Sequence, residues 1–217
     1  MYLSKNGVNE ADPRVKRTRK LLQQAFVELL SEKPFDAITV QDIAARSTIN
    51  RATFYAHFVD KYDLFAQFSR EWFRDAVASQ VAGGAELNLD KLRALTQATI
   101  QSLADMNDHC RPTEALKPII MAAVQEELAG LLRQWLSPVL EPGEIETSVA
   151  AISWALFGAA MQWMQSCRAT SVEATAAQVA ALLMDGLPPA RRAANAAARS
   201  AEFQPGQVAG ASGPAGH

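Results

Sequence analysis

After a polar opening with Gly7 and Pro13, the stretch "RVKRTRKLLQQAFVELLSEK" places Leu22, Ala25, Phe26, Leu29 and Leu30 at the spacing of one helical face. The pattern predicts a loose arm over 1–13 and a first helix over about 14–32. "PFDAI" breaks the periodicity, and Thr39 then stands three residues before Asp42, the spacing of a capping box, at the start of a short helix through Ile43, Ala44 and Ala45. "RSTIN" interrupts that helix after about two turns. Asn50 is an N-cap residue for a third helix carrying Phe54 and Phe58. Asp60 caps a fourth, running from Lys61 to about Val81 with the apolar stripe Leu64, Phe65, Phe68 and Trp72.

"AGGAELN", with Gly83 and Gly84, marks the expected boundary between a first domain over 14–80 and a second over 81–187. Helical periodicity resumes from about Leu89 to Met106, and "NDHCRP" ends it. A longer helix is expected over Leu116–Leu140, with Ile119, Ile120, Val124, Leu128, Leu131, Leu132 and Trp135 on its apolar positions and Pro118 as a candidate kink. A strongly apolar helix follows over about Glu144–Arg168, and a last one over about Val172–Leu187. From 188 to 217 Ala, Gly, Pro and Ser predominate with almost no large apolar residue, which predicts a disordered tail.

Composition agrees with an all-α protein: 217 residues, 49% hydrophobic and 20% charged, with little alternating Val, Ile and Thr. A chain of this length buries a core without disulfides or metals. Cys110 and Cys167 are far apart and lack metal-ligand spacing, and the histidines are scattered, so neither a disulfide framework nor a metal site is encoded. Cys110, between His109 and Arg111 in an expected loop, reads either as a lowered-pKa thiol or, more plainly, as a half-buried cysteine at a helix end. No apolar run approaches the roughly 20 residues of a membrane span and no signal-peptide segment opens the chain, so a cytoplasmic protein is expected. Charge is uneven: through Lys61 there are 10 Lys and Arg against 7 Asp and Glu, while the remainder holds 11 against 16. That asymmetry suits an N-terminal part that meets an anion.

The second and third helices, separated by three residues, form a helix-turn-helix, whose second helix can enter a DNA major groove. On a helical wheel Phe54 and Phe58 share one face for packing. Ala52 and Ala56 lie opposite, Thr53 on one shoulder, Arg51 and Tyr55 on the other. Small residues let the backbone sink into a groove about 12 Å wide, where Arg51 can donate to guanine and Thr53 can meet a thymine methyl or a phosphate. Arg14, Lys16, Arg17, Arg19 and Lys20 bring five cations to the start of the first helix, where its dipole opposes them. Such a cluster is ordinarily a solvated face; beside a helix-turn-helix, phosphate contact by some of it, Arg17 among the donors, is expected.

"ITVQDIAARSTINRATFYAHFVDKYDLF" resembles the DNA-binding segment of the TetR (tetracycline repressor) family. The matching positions are Thr39, Ile43, Ala44, Tyr55, Phe58, Lys61 and Leu64, over roughly residues 15–75. By that resemblance Thr39, Tyr55 and Lys61 are expected on backbone phosphates and Arg51, Ala52 and Thr53 nearest the bases, with Asn50 framing the helix. His57 either joins the phosphate contacts or packs against the first helix. The family's Ala-Gly-Val turn is replaced here by Ser47-Thr48-Ile49, and Thr48 takes a positive φ less cheaply than glycine.

The resemblance also implies a larger helical domain that holds a small-molecule effector and forms a homodimer through its last two helices. Candidate effector contacts are Met121 and Trp135 on one long helix and Trp154, Phe157 and Met161 on the next, a stripe, continued by Met164, that reads equally as core. The expected function is a DNA-binding transcriptional regulator, a ligand-released repressor on a palindromic operator. The other reading is a helical protein-interaction module without sequence-specific DNA binding. No Gly-rich phosphate loop, Gly-x-Ser-x-Gly or metal-ligand spacing is present, so neither an enzyme nor a cofactor is expected.

Overall fold

A computed structural model describes residues 12–81, 87–110, 112–166 and 168–186; residues 1–11 of the expected 1–13 arm and the expected tail over 188–217 lie outside them, while Asp12 and Pro13 belong to the start of the first helix. The described residues form eight α-helices and no strand. Helix α1 (Pro13–Glu32) starts on Asp12, whose carboxylate accepts from the Arg14 N–H at 2.8 Å. It ends where Lys33 turns extended before Pro34. A single 3-10 turn, Phe35–Ala37, fills the predicted break at "PFDAI" and inserts Phe35 into the core. Helices α2 (Val40–Ser47), α3 (Arg51–His57) and α4 (Lys61–Gln80) follow, with α4 capped by the Asp60 carboxylate on the N–H groups of Tyr62 and Asp63.

Helix α5 (Leu89–Cys110) runs one turn past the expected end, because Met106 and Cys110, four residues apart, both face the interior. Burial pushes the Cys110 thiol up, away from the reactive thiolate considered from its His and Arg neighbours. Helix α6 (Lys117–Leu136) carries Pro118 in its first turn, where the missing N–H costs no bond, so Pro118 starts the helix rather than kinking it. Pro142 does the same for α7 (Pro142–Gln165), and α8 (Val172–Gly186) completes the bundle.

Phe26, Phe35, Phe54, Phe58 and Phe65 knit α1 to α4 together, with Phe26 edge-on to Phe35 and Phe65 at 6.0 and 6.1 Å between ring centroids. Burying each such ring stabilises the fold by about 1.5–3 kcal/mol. The apolar cluster continues along α4 through Phe73 and Val77 into Leu92, Leu95, Leu128, Leu132 and Leu156. Helix α4 therefore belongs to both halves: its start closes the helix-turn-helix core, and its later turns pack on α5 and α6. Helix α5 packs against α4, α7 and α8, and α7 also packs on α6.

Candidate nucleic-acid interface

Helix α2 is fixed at its start by a reciprocal cap. The Thr39 hydroxyl accepts from the Asp42 N–H at 3.1 Å, and the Asp42 carboxylate accepts from the Thr39 N–H at 2.8 Å and from its hydroxyl at 2.7 Å. Lys33 Nζ lies 2.8 Å from the same carboxylate. Lys33, then the Thr39 side chain and backbone, hold Asp42 well below the usual carboxylate range. Arg46 reaches back to α1 with two parallel bonds to Glu32, at 2.8 and 2.7 Å. This fork ties the end of α1 to the last turn of α2, and no sequence pattern identified it.

The turn into α3 is made by Thr48, in the left-handed region at φ 56° and ψ 26°. Its N–H and that of Ile49 close on carbonyls of Ala45 and Ala44 at 3.3 and 3.0 Å. Thr48 thus occupies the conformation in which the family pattern places glycine, and a β-branched residue is strained there. Asn50 accepts from the Ala52 N–H at 2.8 Å and starts α3. Phe54 and Phe58 are fully buried, while Arg51, Ala52 and Ala56 are exposed, Thr53 is half-buried and Tyr55 is exposed with its ring edge-on to Phe54. The face opposite the aromatic anchor is therefore open, small-residued and flanked by one guanidinium.

Arg14, Lys16, Arg17 and Lys20 are exposed on the first turns of α1. None of Lys16, Arg17, Lys20 and Arg51 makes an ion pair among the described residues, so these charges are available to an anion.

Two expected phosphate contacts are placed elsewhere. Lys61 Nζ donates to the backbone carbonyls of Phe35, Asp36 and Ile38 at 3.0, 3.3 and 2.9 Å and stands 4.5 Å from the centre of the Phe35 ring. An ammonium has three donors, and all three are used on the connection between α1 and α2. Lys61 is a clamp between α4 and that connection. His57 is 9% exposed, packs beside Phe58, and has an Nδ1 without a hydrogen-bond partner. Burial, and then the nearby Arg19 charge, push its pKa down, so it is neutral at pH 7 and turned inward. Its ring contact is with Phe58, and the charge of Arg19 on α1 lies near it.

The expected effector contacts separate into three places. Met121, Phe157 and Met161 line one cavity of about 310 Å³ at the junction of α5, the 112–118 connection, α6 and α7. Trp135 lines a different hollow of about 410 Å³ between α4 and α6, with Phe73, Arg74, Val77, Glu127 and Leu131. Met121 and Trp135 are fourteen residues apart on one helix, roughly 21 Å of rise, so they cannot face one small ligand. Trp154 lines neither cavity and is 53% exposed. It shares the helical face of Met161 but stands two turns, roughly 10 Å, away from it. Met106, which also lines the first cavity, lay outside the sequence reading because only the fold brings the end of α5 to α7.

This is an all-helical protein with a helix-turn-helix whose outer face is built for close approach. Residues 22–68 match the sequence profile of the family described as bacterial regulatory proteins, tetR family. The match lies on α1 to α4, so it is the helix-turn-helix segment of this chain that is similar to that family. It is 48% identical over 56 residues to an uncharacterised HTH-type transcriptional regulator of Bacillus subtilis (strain 168), YxbF. That stretch is 25% of this chain and 15% of YxbF, so the similarity is confined to a small part of that protein. The fold resembles a tetR-family regulator from Streptomyces coelicolor A3, at 19% identity and a TM-score of 0.53 over 81% of this chain and 97% of that one. A TetR variant from Acinetobacter baumannii AYE in complex with minocycline aligns at 17% identity and a TM-score of 0.50, over 76% of this chain and 96% of that one.

Among the described residues no helix is long and apolar enough to cross a membrane, and no group of three or more His, Cys, Asp or Glu is placed to hold a metal ion.

Proposed function

We propose that the protein is a homodimeric transcriptional repressor that binds a palindromic operator through α3 and leaves it when a small molecule occupies the domain beyond residue 81. The observation that carries this reading is the outer face of α3. There Arg51, Ala52 and Ala56 are exposed, beside half-buried Thr53, on a helix anchored from behind by Phe54 and Phe58. Arg51 supplies the donor fork for a guanine, Ala52 and Thr53 permit close approach, and Thr39, Tyr55 and Arg17 flank them toward the backbone phosphates. The first cavity supports an effector, in keeping with the minocycline complex of the Acinetobacter protein.

The dimer reading is supported by the outer faces of α7 and α8, where Trp154 and Leu182 are exposed to 53% and 74% beside the small residues Ala151, Gly158 and Ala181. Two copies joined there would present two α3 helices to half-sites about one duplex turn, roughly 34–36 Å, apart or somewhat more. Effector control then requires about 5.5 kcal/mol of differential affinity to carry the population from 99:1 to 1:99.

Selection of bound duplexes from a randomised pool tests the reading. It predicts an enriched palindrome, whereas recovery of no sequence above background would leave a helical interaction module in its place.

A further inference from the structure

The cavity between α5, α6 and α7 has a chemistry more specific than its size. Four of the chain's six methionines converge on it: Met106 from α5, Met121 from α6, and Met161 and Met164 from α7. Phe157, on the same face of α7, supplies the aromatic ring among the described wall residues. The charged wall residues are Glu114 and Lys117, which pair with each other and are solvent-exposed, so they stand at the mouth. Asn107, also exposed, is the remaining polar side chain.

We propose that this cavity binds an uncharged, compact aromatic compound of about two fused rings, whose single polar substituent points toward Asn107 at the mouth. The identification rests on the reading of the chain as an effector-controlled regulator, and it adds the ligand class.

Three observations select that class. First, among the described wall residues the only charged side chains are Glu114 and Lys117 at the mouth, and an ionised group taken deeper would lose its hydration without a partner among them. Second, about 310 Å³ lies at the lower end of the roughly 300–1,000 Å³ range of small-molecule sites, which admits a compact body and not a long extended chain. Third, methionines outnumber the aliphatic wall residues Leu103 and Ile120 by four to two, whereas an aliphatic ligand would be served equally well by leucine and isoleucine alone. Polarisable thioethers from three helices, with a phenylalanine beside them, favour the edges and faces of a flat π-system. The Met side chains also adapt to rings of slightly different outline, so a set of related aromatics is expected rather than one compound.

Calorimetric titration of the full chain with 2-naphthol, n-decanol and decanoate tests the assignment. The expected result is 2-naphthol binding at least about tenfold tighter than either aliphatic compound. The volume-conserving change Met121→Leu with Met161→Leu is expected to weaken 2-naphthol by about threefold or more, with n-decanol unchanged and the melting temperature held. Phe157→Leu should act in the same direction. Equal or tighter binding of n-decanol or decanoate, or no binding of 2-naphthol, overturns the aromatic assignment. Selective 2-naphthol binding by a chain that enriches no DNA sequence would overturn the regulator reading and leave the ligand class standing. Sequence-specific DNA binding without 2-naphthol binding would do the reverse.

Discussion

At the scale of single residues, Lys61 separates two accounts of the family resemblance. Its ammonium is saturated by three carbonyls of the α1–α2 connection, so in the proposed complex with DNA it acts through the position of α2. Lys61→Gln is expected to lower stability by about 1–3 kcal/mol in urea denaturation, while the slope of log affinity against log salt stays as in the parent. A slope reduced by about one, with stability intact, would mean that the side chain meets a phosphate instead. Thr48 is the complementary case, a residue in a left-handed turn that suits glycine. Thr48→Gly should stabilise the fold by about 1 kcal/mol in the same assay and preserve DNA binding. His57 sets a pH dependence. Its folded pKa is depressed below 6.5, so between that value and the unfolded 6.5 the unfolded chain binds more protons. Stability contributed by neutral His57 is therefore present above pH 6.5 and lost as pH falls below it. Melting temperatures from pH 8 to 5 should fall less steeply for His57→Gln than for the parent. Asp42 acts in a lower window, since its stabilising charge is lost only as pH falls below the ordinary 3.8. The strained turn was legible in the sequence because one residue type departs from a known pattern. The directions of Lys61 and His57 were not, because a phosphate and a backbone carbonyl are equivalent acceptors for a cation until the fold shows which is near.

Among the elements, α6 connects the cavity to α4, the helix that follows the proposed reading helix α3. Its first turn holds Ile120 and Met121 in the cavity wall. One to two turns later Glu126 accepts from Arg70 of α4 at 3.2 Å, and Glu127 from Arg74 Nε at 3.0 Å. These pairs are partly exposed and each adds well under about 1 kcal/mol to stability, so their consequence lies in coupling. Arg70→Gln with Arg74→Gln should leave effector affinity within about twofold of the parent and reduce effector-driven release from DNA, read by anisotropy of a labelled duplex. Helix starts were readable because caps and prolines act locally: Asn50 and Asp60 cap α3 and α4 as expected. Helix contacts were less so. Trp154, Phe157 and Met161 share a stripe, yet only the two nearer the C-terminal end of α7 meet the 112–121 segment and the cavity. Periodicity gives the face of a helix and not the turn at which a neighbour covers it.

For the whole molecule, the proposed two-fold assembly requires the outer faces of α7 and α8 to be covered. Leu182→Glu with Trp154→Glu should yield a monomer by light scattering with the helical content retained. It should lower operator affinity by at least about a hundredfold through loss of the second half-site. An unchanged dimer would move the interface elsewhere. The central claim is that the exposed face of α3, and not general positive charge, reads DNA. It is tested most directly by anisotropy titrations of the parent chain and Arg51→Ala on the selected palindrome and on a scrambled duplex, at several salt concentrations. The account predicts a steep salt dependence for the parent on both duplexes, with a preference for the palindrome of about a thousandfold or more. Arg51→Ala should erode that preference by about 1–3 kcal/mol while binding the scrambled duplex nearly as before. Equal affinity of the parent for both duplexes, or a preference untouched by Arg51→Ala, would contradict it.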